Sequence, residues 1–292
     1  MTGELTPVSV EAAELGECAR WDADRGEFLW VDIMAGVFRR AVEDGDRLRT
    51  VAEVSIGEPL GAIAPISDRA GWLCAAGRGF RYLAPEGTVT RLLDTEPADV
   101  RMNDAACDRQ GRFWAGSMAY DQRAGGGRLL RCDPDGSVRV MLPTATIANG
   151  LGWSPDGRTL YHADSGVGIV TAYDPETMVG RVLIRSERGA ADGITVDDEG
   201  AIWAAMNGGG EVRRFAPDGS TLSVLPLPVS RPTSVAIGGA SGQRLFVTTS
   251  YENMTPDERA QEPEAGRVFA VEVGVGAPPV RPYRGELPGF RG

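Results

Sequence analysis

Histidine is nearly missing from this sequence: His162 is the only one among 292 residues. That scarcity excludes a multi-histidine zinc site and any histidine dyad, and it leaves Ser-His-Asp catalysis a single possible base. Cysteine is also sparse. Cys18, Cys74, Cys107 and Cys132 show no CxxC spacing and no dense framework, so they read as reduced thiols of a cytoplasmic protein. No apolar run reaches membrane-spanning length, and residues 1–13 are acidic rather than signal-like. Basic residues are outnumbered, 30 to 41, leaving a net charge of -11 that repels phosphate backbones. Long amphipathic helical patterns are absent, which disfavours an α/β barrel. The expectation is a monomer or homodimer without nucleic-acid or membrane partners.

What the chain does have is glycine, 39 residues, and 19 prolines, spread along its length rather than pooled in a linker. That spread suits many short strands joined by tight turns. A repeat emerges from it: a short apolar stretch, a polar turn with glycine, then two or three large apolar residues. Asp24-Arg25-Gly26 precedes Phe28-Leu29-Trp30, and Asp108-Arg109-Gln110-Gly111 precedes Phe113-Trp114. The turn glycines are Gly26, Gly71, Gly111, Gly157, Gly200 and Gly242, spaced 45, 40, 46, 43 and 42 residues apart. Such a period matches a four-stranded propeller blade. Further turn signals between them, such as Pro85-Glu86-Gly87 and Pro217-Asp218-Gly219, would join the outer two strands of each blade. A WD40 array shares the period, but its Gly-His and strand-end Trp-Asp signatures are missing. The fold class expected is all-β: one six-bladed β-propeller domain of four-stranded blades over residues 1–292.

Counting back eight or nine residues from each turn glycine reaches the channel end of the innermost strand. Glu17, Ala62, Asn103, Asn149, Asp192 and the Thr233-Ser234 pair occupy that register. Each polar residue alone would read as a turn cap. Two carboxylates and two carboxamides converging on one axis are different, because buried together they would repel or stay unpaired. A divalent cation resolves that cost, and an all-oxygen set suits hard ions such as Ca²⁺, Mg²⁺ or Mn²⁺.

With that register in hand, the chain resembles the SMP-30/gluconolactonase/LRE (regucalcin-like) family. The matching segments are Leu15-Gly16-Glu17, Trp30-Val31-Asp32-Ile33, Arg101-Met102-Asn103-Asp104, the run Gly111 to Met118, Asn149-Gly150-Leu151-Gly152-Trp153, Asp192-Gly193 and Arg231-Pro232-Thr233-Ser234. The resemblance implies a hydrolase that opens sugar lactones with one divalent ion (Ca²⁺, Zn²⁺, Mg²⁺, Mn²⁺ or Fe²⁺). It implies Glu17, Asn149 and Asp192 as the metal ligands, Asn103 beside the metal on substrate, and Arg101 on substrate hydroxyls. The short Gly-rich loop 119–127, with Tyr120 and Asp121, is where substrate selection is expected. The chain departs from the family pattern at Cys18-Ala19 after the glutamate and at Ala191 before the aspartate.

In that chemistry the ion polarises the lactone carbonyl, and Asp192 is the candidate general base for the attacking water. A propeller hydrolase acting on another ester, cyclic imine or phosphotriester is the alternative, followed by a metal-binding protein without turnover. His162, in the second strand of blade four, is expected to pack or to face solvent, and Cys18 to be a small buried thiol with no histidine to activate it. Trp114, Trp153 and Trp203 are expected between blades.

Overall fold

The structure, a computed structural model, describes residues 3–289. Six antiparallel four-stranded sheets are arranged as the blades of a β-propeller. In blades one to five the strands follow chain order from the axis outward, beginning with Gly16–Asp22, Leu60–Pro65, Val100–Cys107, Ala148–Trp153 and Ala190–Val196. These inner strands are buried almost throughout, whereas an outer strand such as Arg47–Ser55 alternates between exposed residues and buried or half-buried ones. Burial on both faces explains why the inner strands read as small and apolar, and one solvated face explains the outer alternation.

All six turn glycines lie at positive φ, from 64° at Gly26 to 102° at Gly71, as hairpin geometry between the first two strands of a blade requires. The turns at residues 85–87 and 217–219 join outer strand pairs, as their sequence predicts.

The sixth blade is built differently. Its order is Pro232–Gly238, Arg244–Thr249, Phe269–Glu272 and then Thr6–Pro7 from the other end of the chain. Thr6 pairs with Ala270 and Pro7 with Phe269, while Ala13 N–H donates to Gly266 O at 2.9 Å. This seam closes the ring and covers an edge that would otherwise template foreign strands. Sequence reading gave that outermost strand no place.

Tryptophans fill the wedges between blades. Trp114 and Trp153 meet edge to face at 6.2 Å across the third and fourth blades. Trp203 packs in one cluster with Val235, Ile237 and Phe269 of the sixth. The Trp114 and Trp203 indoles donate to Asp108 and Asp197 at 2.8 and 2.9 Å, so their polar edges are satisfied. At one end of the channel the C-terminal segment lies across the strand ends. Tyr283 is fully buried there, with its hydroxyl donating to Asp133 O at 2.9 Å, and residues 277–281 line a cavity of about 120 Å³. The helix Pro256–Gln261, with its Thr255/Glu258 capping box, falls in the connection between the second and third strands of blade six. No helix among the described residues is long and apolar enough to cross a membrane.

Candidate metal and substrate site

Each of the six inner strands breaks register once at the same level. The breaks fall between Glu17 and Arg20, Leu60 and Ala62, Met102 and Ala105, Ala148 and Leu151, Ala191 and Ile194, and Pro232 and Ser234. A β-bulge frees one residue from the ladder and re-aims its side chain. Here it turns Glu17, Asn103, Asn149 and Asp192 into one cavity of about 250 Å³ at the channel end opposite the C-terminal segment. Close approach of the strands makes this possible. A Cβ on Gly150 would sit 2.3 Å from Asp192 O, and one on Gly61 2.2 Å from Asn103 O, so only glycine fits beside the bulges.

The four side chains are all buried, at 4–5% exposure, but their hydrogen bonds divide them. Asn149 donates from Nδ2 to Ser165 Oγ at 3.0 Å, and Ser165 Oγ in turn donates to Ala191 O at 2.7 Å. That chain fixes the amide, leaving Asn149 Oδ1 buried without a partner. Asp192 Oδ2 accepts from Asn207 Nδ2 at 2.8 Å, and Asp192 Oδ1 is likewise buried and unpartnered. Glu17 Oε2 accepts from Cys18 N–H at 3.0 Å. Asn103 is different: its Oδ1 accepts from Arg101 Nη1 at 2.7 Å and its Nδ2 donates to Ala148 O at 3.0 Å, so both ends are committed.

Electrostatics point the same way. Burial, then Asp192 and Asp104, hold the Glu17 carboxyl well above the usual range. Asp192 is pushed up to about 7, chiefly by burial and against the hydrogen bond from Asn207. Two buried carboxyls in direct interaction, with Asn149 Oδ1 unpartnered beside them, form a costly arrangement when ionised, and a divalent cation neutralises it. No three His, Cys, Asp or Glu side chains group as a metal site among the described residues, so a carboxamide oxygen is needed to complete the set. Asn149 Oδ1 is free to do so. The residues fit a hard divalent ion.

Arg101 lines the cavity, pinned through Nη1 to Met102 O and Asn103 Oδ1. From the loop expected to select substrate, Gln122 lines the cavity, with its backbone at φ 54°. Tyr120 is 48% exposed and Asp121 pairs with Arg123 at 3.0 Å; both lie outside the cavity wall, although Tyr120 is within electrostatic reach of Arg101. Ser165, Asn207, Arg231 and Glu252 also line the site, and sequence reading gave none of them a role. Below it, Arg20 pairs with Asp104 at 3.3 Å and donates to Ala105 O at 2.6 Å.

His162 and Cys18 take no part in a nucleophilic pair. His162 is buried in its strand, with its pKa pushed down to about 4 by burial. Burial pushes the Cys18 thiol up to about 11, and its sulfur accepts from Ile63 N–H at 3.4 Å. Such a thiol is inert at neutral pH.

The family model described as the SMP-30/gluconolactonase/LRE-like region matches residues 15–251. A 6-deoxy-6-sulfogluconolactonase from Pseudomonas putida is 34% identical, over 94% of this chain and 97% of its own. Regucalcin from Xenopus laevis is 30% identical, over 93% and 95%. Among solved structures, a calcium-binding protein, regucalcin, from Agrobacterium tumefaciens has a TM-score of 0.88 at 26% identity, covering 97% of each chain.

Proposed function

The chain belongs to the SMP-30/gluconolactonase/LRE-like family, and from that premise we propose that it hydrolyses the ring ester of a sugar lactone with a divalent cation held by Glu17, Asn149 and Asp192. The observation that carries the metal part is the pair of buried, unpartnered oxygens, Asn149 Oδ1 and Asp192 Oδ1, facing one cavity with Glu17. A cavity of about 250 Å³ suits a monosaccharide-sized ligand, below the ~300–1,000 Å³ of typical small-molecule sites.

When bound, the cation supplies Lewis-acid polarisation of the lactone carbonyl. The chain's own residues do the rest. Arg101, pinned by Asn103 and a backbone carbonyl, turns its remaining N–H groups to substrate hydroxyls. Asp192 Oδ2, steadied by Asn207, takes a proton from water as that water adds to the carbonyl carbon. The carbon–ring-oxygen bond then breaks, and the same proton passes to the departing ring oxygen to give an open hydroxy acid. Ser165 holds the Asn149 amide so that its Oδ1 would be left free for the cation.

A panel of sugar lactones, other esters, cyclic imines and phosphotriesters, followed by proton release with several metals and with chelator, tests the activity. Sugar lactones should be opened in a chelator-sensitive way; turnover confined to another class would replace the reading. Arg101→Ala should lower kcat/KM for polyhydroxylated lactones about 10- to 100-fold while calorimetric metal affinity holds, because arginine carries donors only and cannot ligate a cation. Loss of metal in that variant would make Arg101 a structural support instead. Ser165→Ala frees the Asn149 amide to rotate, and metal affinity by calorimetry should fall about tenfold or more, as for other groups that orient ligands. Unchanged affinity would remove Ser165 from that role.

A further inference from the structure

Five arginines are buried among the described residues: Arg39, Arg81, Arg101, Arg112 and Arg131. Four of them hold a carboxylate. Arg39 pairs with Glu53, Arg81 with Glu58 and Asp94, Arg112 with Asp108, and Arg131 with Asp133, at 2.5–3.0 Å. Arg101 pairs with none, in a chain with 41 acidic residues against 30 basic ones. Its Nη1 rests on neutral oxygens, those of Met102 and Asn103. Glu252, Glu17 and Asp192 act on it at longer range, but none forms an ion pair with it, so its burial is costly and pulls its pKa down.

Arg231 repeats the pattern on the same cavity wall. It is half-buried, donates through Nη1 to the backbone carbonyl of Glu252, and makes no ion pair among the described residues. Two guanidiniums anchored by neutral groups, with Nε and Nη2 left over, therefore face one small-molecule pocket.

The charge of the pocket can be counted from its lining. Glu17, Asp192 and Glu252 contribute three negative charges, and Arg101 and Arg231 two positive. Asp104, underneath, is matched by Arg20. A divalent cation on Glu17, Asn149 and Asp192 brings the lining to one net positive charge. A neutral sugar lactone leaves that charge unmatched; a sulfonate or carboxylate cancels it, and a phosphate ester, at about -1.5 to -2 near neutral pH, over-compensates by about one unit or less.

We propose that the substrate is a sugar lactone bearing a terminal oxyanion (a sulfonate, phosphate ester or carboxylate) remote from the ring carbonyl, received by Arg231 together with Arg101. The inference rests on the lactone-hydrolase reading. It assigns Arg231 to the discrimination of substrates: guanidinium forks bind such oxyanions in a bidentate manner, and hydrogen bonds to charged groups are the stronger kind.

The test compares D-gluconolactone with its 6-sulfonate and 6-phosphate counterparts on metal-loaded protein, wild type and Arg231→Gln. The wild type should favour an anionic lactone by about tenfold or more in kcat/KM, and Arg231→Gln should collapse that ratio towards one. Equal turnover of neutral and charged lactones, or a ratio unmoved by Arg231→Gln, overturns the proposal and leaves the hydrolase reading standing. Calorimetric binding of the unreactive lactam analogues, neutral and 6-phosphorylated, reads the same preference without turnover. If no lactone is opened the hydrolase reading fails, and equal or absent binding of the two lactams then overturns this proposal on its own terms.

Discussion

Asp192→Asn should lower lactone turnover about 10²- to 10⁴-fold, and the loss should persist at saturating metal. The substitution keeps an oxygen at Oδ1, so a side chain that only ligates would lose affinity and recover its rate once the cation is in excess. A carboxamide cannot accept a proton, so a side chain that also serves as base stays impaired. Asn207 makes the experiment readable, because it donates to Asp192 Oδ2 at 2.8 Å. In the variant the new amide can keep an oxygen towards Asn207 or towards the cation, but not both, which adds a metal-affinity loss to the rate loss. Titrating metal separates the two. Asn149→Asp is the control: it adds a charge at a position assigned to ligation alone, and it should tighten metal binding without a comparable fall in kcat. Full recovery of Asp192→Asn at high metal would end the claim that this carboxylate moves the proton.

Much of this site is legible in the sequence because a propeller repeats one hairpin. The turn glycine fixes the phase, so counting back eight or nine residues reaches Glu17, Asn103, Asn149 and Asp192. The same logic run forward was available. An antiparallel hairpin places residues equally far on either side of its turn at the same end of the blade. Counting seven or eight residues past Gly111, Gly157, Gly200 and Gly242 reaches Met118, Ser165, Asn207 and Ser250, all of which line the cavity. Ser165 and Asn207 were therefore findable. Arg231 and Glu252 lie outside that count, in the connections around blade six, where the period gives no guidance.

Two features had no usable trace in the chain. A two-residue closing strand, Thr6–Pro7, is too short to show alternation, and its pairing depends on where the ring ends rather than on local propensity. The positive φ of Cys18, 54°, breaks the usual preference of a non-glycine residue. It follows from the bulge beside Glu17, where the buried surroundings hold a backbone that the sequence alone would not choose.

Removing the metal should make stability fall as pH rises from about 4 to about 7, by on the order of a few kcal/mol, as Asp192 and its neighbour Glu17 titrate together. The sign follows from burial. Asp192 is pushed up from 3.8 to about 7 in the folded chain. Below 3.8 both folded and unfolded forms are protonated, and the contribution is fully present. Between the two values the folded form holds more protons than the unfolded one, so raising pH favours unfolding; above 7 the contribution is gone. Glu17, raised well above its ordinary 4.5, acts in the same direction. A bound cation reverses the slope, because ionised oxygens are then what it needs. His162 has to be separated out. Its pKa is pushed from 6.5 down to about 4, so it contributes stability that grows with pH across the same window. Surface carboxylates such as Asp135 and Asp156, held low first by serine hydroxyls, act below that window. The informative quantity is therefore a difference: urea midpoints of chelator-treated wild type minus those of chelator-treated Asp192→Asn, from pH 4.5 to 8. His162 is common to both and cancels. The difference should fall steadily with pH in the metal-free pair. Parallel curves would show that Asp192 does not carry a buried, uncompensated charge, and the strongest physical reason for placing a cation at this site would go with it.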